Sequence, residues 1–157
     1  MRAFRYVQHI ERPQEEVFAF IMNFSAASRW RSMVRRMEVV GGGPVRQGSK
    51  LLMTMDVLGK TLQLESEVWC YEPPHRVGQR NQRSGVTGVF EYILEPDRSG
   101  TTVIYTCDIR PHGLVWLTVP WLLRSEKYRF RDQLIALKRA IEQTEEQKED
   151  QKEEQKE

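Results

Sequence analysis

Two consecutive prolines, Pro73 and Pro74, interrupt what would otherwise be one long extended run, VWCYEPPHRVGQR, from Val68 to Arg80. Proline has no N–H to give to a ladder, so it is confined to strand ends, edges and turns. The run must therefore be two strands meeting at a corner. The same grammar continues on both sides. Upstream, SKLLMTMDVLGKTLQLESEVWCYEP reads as a hairpin turning at Gly59-Lys60. Downstream, HRVGQRN, VTGVFEYILEP and TTVIYTCDIRP are separated by the turn signals Ser84-Gly85 and DRSG. Connections this short permit only antiparallel neighbours, because a parallel pair needs a crossover of a dozen or so residues. The chain is thereby committed to an antiparallel meander, with Gly78, Gly85 and Gly88 available where the sheet must bend or bulge.

The side chains alternate as a one-sided sheet requires. Leu62, Leu64, Ser66, Val68 and Cys70 fall on one face of their strand, opposite Gln63, Glu65 and Glu67. In the preceding strand Leu51, Met53, Met55 and Val57 oppose Leu52, Thr54 and Asp56, which places Asp56 in solvent. In the last strand Val103, Tyr105, Cys107 and Ile109 form the apolar face and leave Asp108 outside. Such a face has to be covered. Before the meander, FRYVQHIE reads as a strand and Pro13 opens a helix with Glu15 and Glu16 in its first turn. Val17, Phe20, Ile21 and Phe24 repeat at helical spacing. SAASRW predicts a second short helix capped by Ser25, and MVRRMEVV a strand. GGGPVRQGSK precedes a strand and lacks the Walker pattern, so it is a loop and not a phosphate cradle. After Gly113 a single stripe, Val119, Leu123, Glu126 or Lys127, Phe130, Leu134, Leu137 and Ile141, marks a long helix. It begins between Gly113 and Pro120 and is the one element large enough to cover the sheet.

The 157 residues suit one domain, placed at residues 1–143, followed by a charged low-complexity tail at 144–157. A formal net charge of +2 gives no electrostatic reason to expect a nucleic-acid partner. Arg29, Arg31, Arg35 and Arg36 cluster locally and read as a solvated loop and strand edge rather than a phosphate or lipid-headgroup site. Cys70 and Cys107 have no metal-ligand spacing and read as buried, unpaired thiols in a reducing compartment. His9, His75 and His112 show no metal-binding pattern, and the last two are expected at rim turns. No metal and no cofactor are expected. The N-terminal MRAFRYVQHIERP has no apolar run of a signal peptide, and no stretch approaches the roughly 20 apolar residues of a membrane span. A cytoplasmic protein is the expectation.

The order of elements and several local motifs resemble the START/birch-allergen-like (SRPBCC) superfamily, specifically its polyketide cyclase/dehydrase and lipid-transport group. IERPQEEVFAFIMNFSAASRW resembles the family's opening through Ile10, Pro13, Val17, Phe18 and Trp30. Gly48 before the third strand, the junction Glu72, Pro73, Pro74, Arg76, Val77, the hairpin YILEPDRSGTTV and the terminal LIALKRAIE complete the resemblance up to about residue 143. It implies an α+β helix-grip fold: a seven-stranded antiparallel curved sheet around a long C-terminal helix, with two short N-terminal helices. Between sheet and helix it implies a cavity for a lipid, sterol, polyketide or other hydrophobic ligand. The Pro-Pro break is then a corner in the wall of a cup.

The expected ligand-binding wall comprises Met53, Met55, Leu62, Leu64, Val68, Phe90, Tyr92, Leu94, Tyr105 and Cys107 from the strands, with Leu123, Lys127 and Phe130 from the helix. Methionines suit an adaptable apolar surface, and Tyr92 and Tyr105 supply polar tips for orientation. No catalytic residue is assigned. The leading reading is a carrier or sensor of a hydrophobic small molecule or lipid. A polyketide cyclase/aromatase or dehydratase is an alternative that needs a buried acid/base group. A third reading is a chaperone-like or membrane-surface module, because GLVWLTVPWLL, with Trp116 and Trp121, is apolar on more than one face. That stretch packs on the sheet, lines a cavity entrance, or touches a membrane transiently.

Overall fold

The computed structural model describes residues 2–57, 59–83, 85–113 and 130–144. In chain order they form β1 (Arg2–Ile10), α1 (Gln14–Met22), a turn of 3-10 helix (Phe24–Ala26), α2 (Ala27–Trp30) and β2 (Val34–Val39). The meander follows as β3 (Lys50–Val57), β4 (Lys60–Glu72), β5 (Arg76–Arg83), β6 (Val86–Pro96) and β7 (Thr101–Pro111). Residues 130–144 are helical and are called α3. All seven strands form one sheet in the order β1-β7-β6-β5-β4-β3-β2, with every pair antiparallel. The two edge strands are β1 and β2, and α1 and α2 carry the chain from one edge to the other. The start of the C-terminal helix, Leu123 and Lys127, the Trp116–Trp121 stretch and the tail from residue 145 lie outside the described residues.

Pro73 and Pro74, joined by a cis bond, sit in the turn between β4 and β5 as their chemistry requires. Pro13 is the residue before the first helical position, with acidic Glu15 and Glu16 in the opening turn of α1. Two local details differ from expectation. Lys60 pairs with Val57, so the hairpin turns one residue earlier than Gly59-Lys60. Ser25 lies inside the 3-10 turn, and α2 starts after Ala26 with no side-chain cap. A short helix continuing directly from a 3-10 turn has its first N–H groups partly satisfied by that turn, so it does not depend on a capping hydroxyl.

A larger correction concerns β4. The ladder to β5 shifts register between Val68 and Cys70: Val68 faces Gln79, but Cys70 faces Gly78. The extra residue is Trp69. It breaks the alternation, because an inserted residue sends everything after it to the opposite face. Beyond the bulge Tyr71 joins the core and packs on Phe18, with ring centroids 5.9 Å apart. Cys70 leaves that face and meets Glu72 and Arg76 on the outer surface. Gly78 makes room for the bulge: a Cβ there would lie 2.5 Å from the Trp69 indole. Cys70 and Cys107 therefore occupy opposite faces of the sheet, Cys107 within the core, and neither is in a disulfide among the described residues.

The inner face is the core. Ile10, Leu51, Val68, Leu94 and Val103 from the strands meet Val17, Ile21 and Trp30 from the N-terminal helices and Leu134 and Leu137 from α3. The stripe Leu134, Leu137, Ile141 faces inward as its spacing dictates, with Ala140 beside it. Gln14 ties α1 to the sheet, donating from Nε2 to the Leu94 carbonyl at 2.8 Å and meeting His75 Nδ1 at 2.8 Å. Thr101 secures the same end by donating to the Arg12 carbonyl at 2.8 Å. Leu137 is fully buried, so Leu137→Ala should cost about 2–5 kcal/mol in chemical denaturation. Val7→Ala, at a site 53% exposed, should change stability by no more than about 0.5 kcal/mol. Similar effects at the two positions would show that α3 does not close the core.

Candidate functional site

The sheet and α3 do not meet along their whole length. Toward the β2–β3 side they leave a cavity of about 210 Å³, lined by residues of the α2–β2 link, the strands and α3. Small-molecule sites usually run to about 300–1,000 Å³, so this one fits a small or slender ligand. Its apolar wall is built by Met53 and Met55 of β3, Leu64 of β4, Phe90 of β6 and Phe130 of α3. Inward alternation brings Tyr92 and Tyr105 alongside them from neighbouring strands in direct register. The rings form a continuous aromatic surface. Trp30 meets Tyr92 edge-on at 6.1 Å, Tyr92 lies 4.6 Å from Tyr105, Tyr105 lies 5.8 Å from Phe130, and Phe130 lies 6.1 Å from Phe90.

Seven of the thirteen wall residues expected from sequence thus meet at one cavity. Val68, Leu94 and Cys107 share the inner face but are fully packed core, Leu94 at the end where α1 meets the sheet and Cys107 on β7 beside Phe90. Leu62 is half-buried and lies off the cavity, near the turn into β4. Alternation identifies a face but not where along it the packing opens, and that position decides which residues are core and which are lining.

The cavity is also more polar than expected. Arg31, Gln79, Asn81 and Gln133 line it, with Ser32, Met33 and Val34 at its α2–β2 margin. Gln133 donates from Nε2 to the Tyr92 hydroxyl at 2.7 Å, leaving that hydroxyl's own proton to donate elsewhere. Arg31 corrects the sequence reading most sharply. It was expected in a solvated cluster with Arg29, Arg35 and Arg36, yet it is only 7% exposed. It caps the C-terminus of α2, its N–H bonded to the Ala27 carbonyl at 2.9 Å, and this turn folds the side chain inward. Its guanidinium lies 4.4 Å from the Trp30 ring and 5.6 Å from the Tyr92 ring. Its Nε is buried without a hydrogen-bond partner, and no carboxylate among the described residues pairs with it. Stacking on two rings is worth about 0.5–2 kcal/mol each, against a penalty of several kcal/mol for burying a lone ion. The one sequence signal was adjacency to Trp30, the tryptophan that ends α2.

Electrostatics hold both phenols in their neutral form. Burial pushes Tyr92 above the ordinary tyrosine range, countered in part by Arg31 and by the Gln133 hydrogen bond. Tyr105 is raised further, first by burial and then by Tyr92 and Cys107. Tyr6, inward on β1, is raised by burial as well. Asp56 and Asp108 lie outside, as expected. Asp56 pairs with Arg35 and accepts from Thr61 Oγ1 at 3.1 Å, and Asp108 pairs with Arg110 at 2.6 Å. His75 and His112 are exposed beside turns.

His9 lies 3.4 Å from Asp97 and 3.1 Å from the Ser99 hydroxyl, which has the composition of a nucleophilic triad. The Ser99 hydroxyl, however, donates to Asp97 at 2.9 Å within an exposed turn, so its proton is not directed to His9. The Ser99 N–H and hydroxyl hold Asp97 below the usual carboxylate range, as a turn-stabilising acceptor should be. Among the described residues no group of three or more His, Cys, Asp or Glu is placed to hold a metal, and no helix is long and apolar enough to cross a membrane.

Because Tyr6, Tyr92 and Tyr105 hold their protons more tightly folded than unfolded, their contribution to stability is complete below the unfolded phenol value, about pH 10. It is lost as pH rises from there toward the folded values. Phenolate absorbance of the native protein should trail that of the denatured chain, and the denaturation midpoint should fall with alkali above about pH 10. Coincident native and denatured titrations would put these rings in water.

Comparison with known proteins agrees with this architecture. Residues 1–142 match the family described as polyketide cyclase/dehydrase and lipid transport. No curated relative matches the chain. Among solved structures, a START superfamily protein from Mycobacterium smegmatis superposes with a TM-score of 0.73 at 13% identity, over 90% of this chain and 98% of that one. A Thermus thermophilus protein gives 0.71 at 15% identity, over 91% and 99%. The di-domain ARO/CYC BexL gives 0.75 at 20% identity, over 90% of this chain and 47% of its own. At these identities the likeness speaks to the helix-grip fold alone.

Proposed function

The chain belongs to the polyketide cyclase/dehydrase and lipid transport family, and from that membership we propose that it is a carrier or sensor, binding a hydrophobic small molecule or lipid in the cavity between the sheet and α3. The observation that carries this reading is the character of the lining. Met53, Met55, Leu64, Phe90 and Phe130 offer an apolar, adaptable surface, and Arg31, three amides and two phenols supply polar groups that would orient a ligand. A cyclase or dehydratase would need a group that exchanges protons near neutrality in contact with its substrate. Among the described lining residues the titratable groups are two phenols held protonated and one guanidinium. The carboxylates that a catalytic reading would enlist, Asp56 and Asp108, are engaged by arginines on the outer side of the sheet.

Cavity volume and not a carboxylate should therefore govern binding. Leu64→Trp should fill the cavity and weaken binding of an apolar fluorescent probe by about tenfold, a loss of about 1.4 kcal/mol. Overpacking could add a stability cost of about 1–3 kcal/mol, so thermal denaturation of the same variant should accompany the measurement. Asp56→Asn and Asp108→Asn should leave probe affinity unchanged. Unaltered affinity in Leu64→Trp together with a strong loss in Asp56→Asn would overturn the carrier reading and favour an enzyme.

A further inference from the structure

Arg31 is the only charged side chain among the described residues lining the cavity. It is 7% exposed, its Nε has no partner, and its guanidinium is held by aromatic faces rather than by an anion. A rigid guanidinium fork presented this way is suited to a planar, bidentate oxygen acceptor. A second buried group stands at the same cavity. Gln79 is 6% exposed and lines the cavity. With Asn81, Gln133 and the hydroxyls of Tyr92 and Tyr105, it surrounds the cation with donors, while the methionines and Phe130 supply the apolar remainder. For a purely apolar ligand the buried charge has no use.

Resting on the carrier reading, we propose that the ligand is a monoanionic amphiphile, an organic acid whose carboxylate docks on Arg31 and whose apolar body fills the cavity toward Met53 and Phe130. One unpaired positive charge, with no lining carboxylate to oppose it among the described residues, matches one negative charge. A phosphate monoester carries about −1.5 to −2 near neutrality and would remain under-compensated there. The phenols, kept protonated, act as donors to the carboxylate and do not repel it as phenolates would. Arg31 thus fixes which end of the ligand enters toward α2, and the cavity volume limits the length of its tail.

The test compares ten-carbon ligands that differ only at the head: decanoate, decanol and decylamine, titrated calorimetrically into the full-length protein at neutral pH. A hydrogen-bonded charge pair predicts that decanoate binds about 10- to 100-fold more tightly than decanol, with decylamine weakest. Arg31→Met, similar in length and apolar, should bring decanoate down to the affinity of decanol measured on the same variant. Arg31→Lys should retain a preference for the acid. Equal binding of acid and alcohol by the natural protein would overturn the carboxylate assignment and leave the carrier reading standing. Failure of both to bind would overturn the two together. Preference for decanoate surviving in Arg31→Met would move the anion site away from Arg31. The head-group series on the natural protein decides the question even if Arg31→Met does not fold.

Discussion

Everything in this molecule follows from one mismatch of widths. Seven antiparallel strands spaced about 4.8 Å apart make a sheet roughly 30 Å across, whereas a helix with its side chains is about 10–12 Å wide. A flat sheet of this width could not be covered by α3. The sheet has to curl toward the helix, and the bulge at Trp69, opposite Gly78, is one place where the strands yield. Curling closes some of the gap, and α1 and α2 close more of it at one end, where Val17, Ile21 and Trp30 reach the core. What is left unfilled is the cavity. The cavity is thus what an incomplete packing solution leaves behind.

That origin explains the gradient along the inner face. Where α1 is pinned to the β4–β5 turn and to β6 through Gln14, His75 and Leu94, the facing Leu94 and Val103 are buried core. Toward β2 and β3 the covering elements are the 3-10 turn and α2, and the inward Met53 and Met55 become lining. Part of the polar lining comes from the end of α2. Its last turn delivers Arg31 and the following Ser32 and Met33 to the cavity margin.

The electrostatic arrangement is coherent within a low-dielectric enclosure. Two neutral phenols, three amides and one cation line an apolar volume, and acidic side chains such as Asp56 and Asp108 are paired on the solvent face. A buried cation with no counter-ion among the described residues costs stability. An anionic ligand would remove that cost on binding, so affinity and stability would rise together.

Much was legible in the residues themselves. The prolines at 73 and 74, the period-two alternation and the turn signals determine consecutive antiparallel strands, because proline cannot join a ladder and short turns cannot make crossovers. The stripe Phe130, Leu134, Leu137, Ile141 determines an amphipathic helix by its 3.6-residue period. Those are local rules, and they also place Met53, Met55, Tyr92 and Tyr105 inward and Asp56 and Asp108 outward. Tertiary structure alone decided three further things. The Trp69 bulge moved Cys70 out and Tyr71 in, because a single inserted residue is energetically subtle in sequence yet inverts every later side chain. Packing depth separated Val68, Leu94 and Cys107 from the lining, because the separation depends on what the opposite layer supplies. And the fold of the chain at the end of α2 turned Arg31 inward, away from Arg29, Arg35 and Arg36, because a side chain's direction at a helix terminus is set by what surrounds that terminus and not by the charge of its neighbours in sequence.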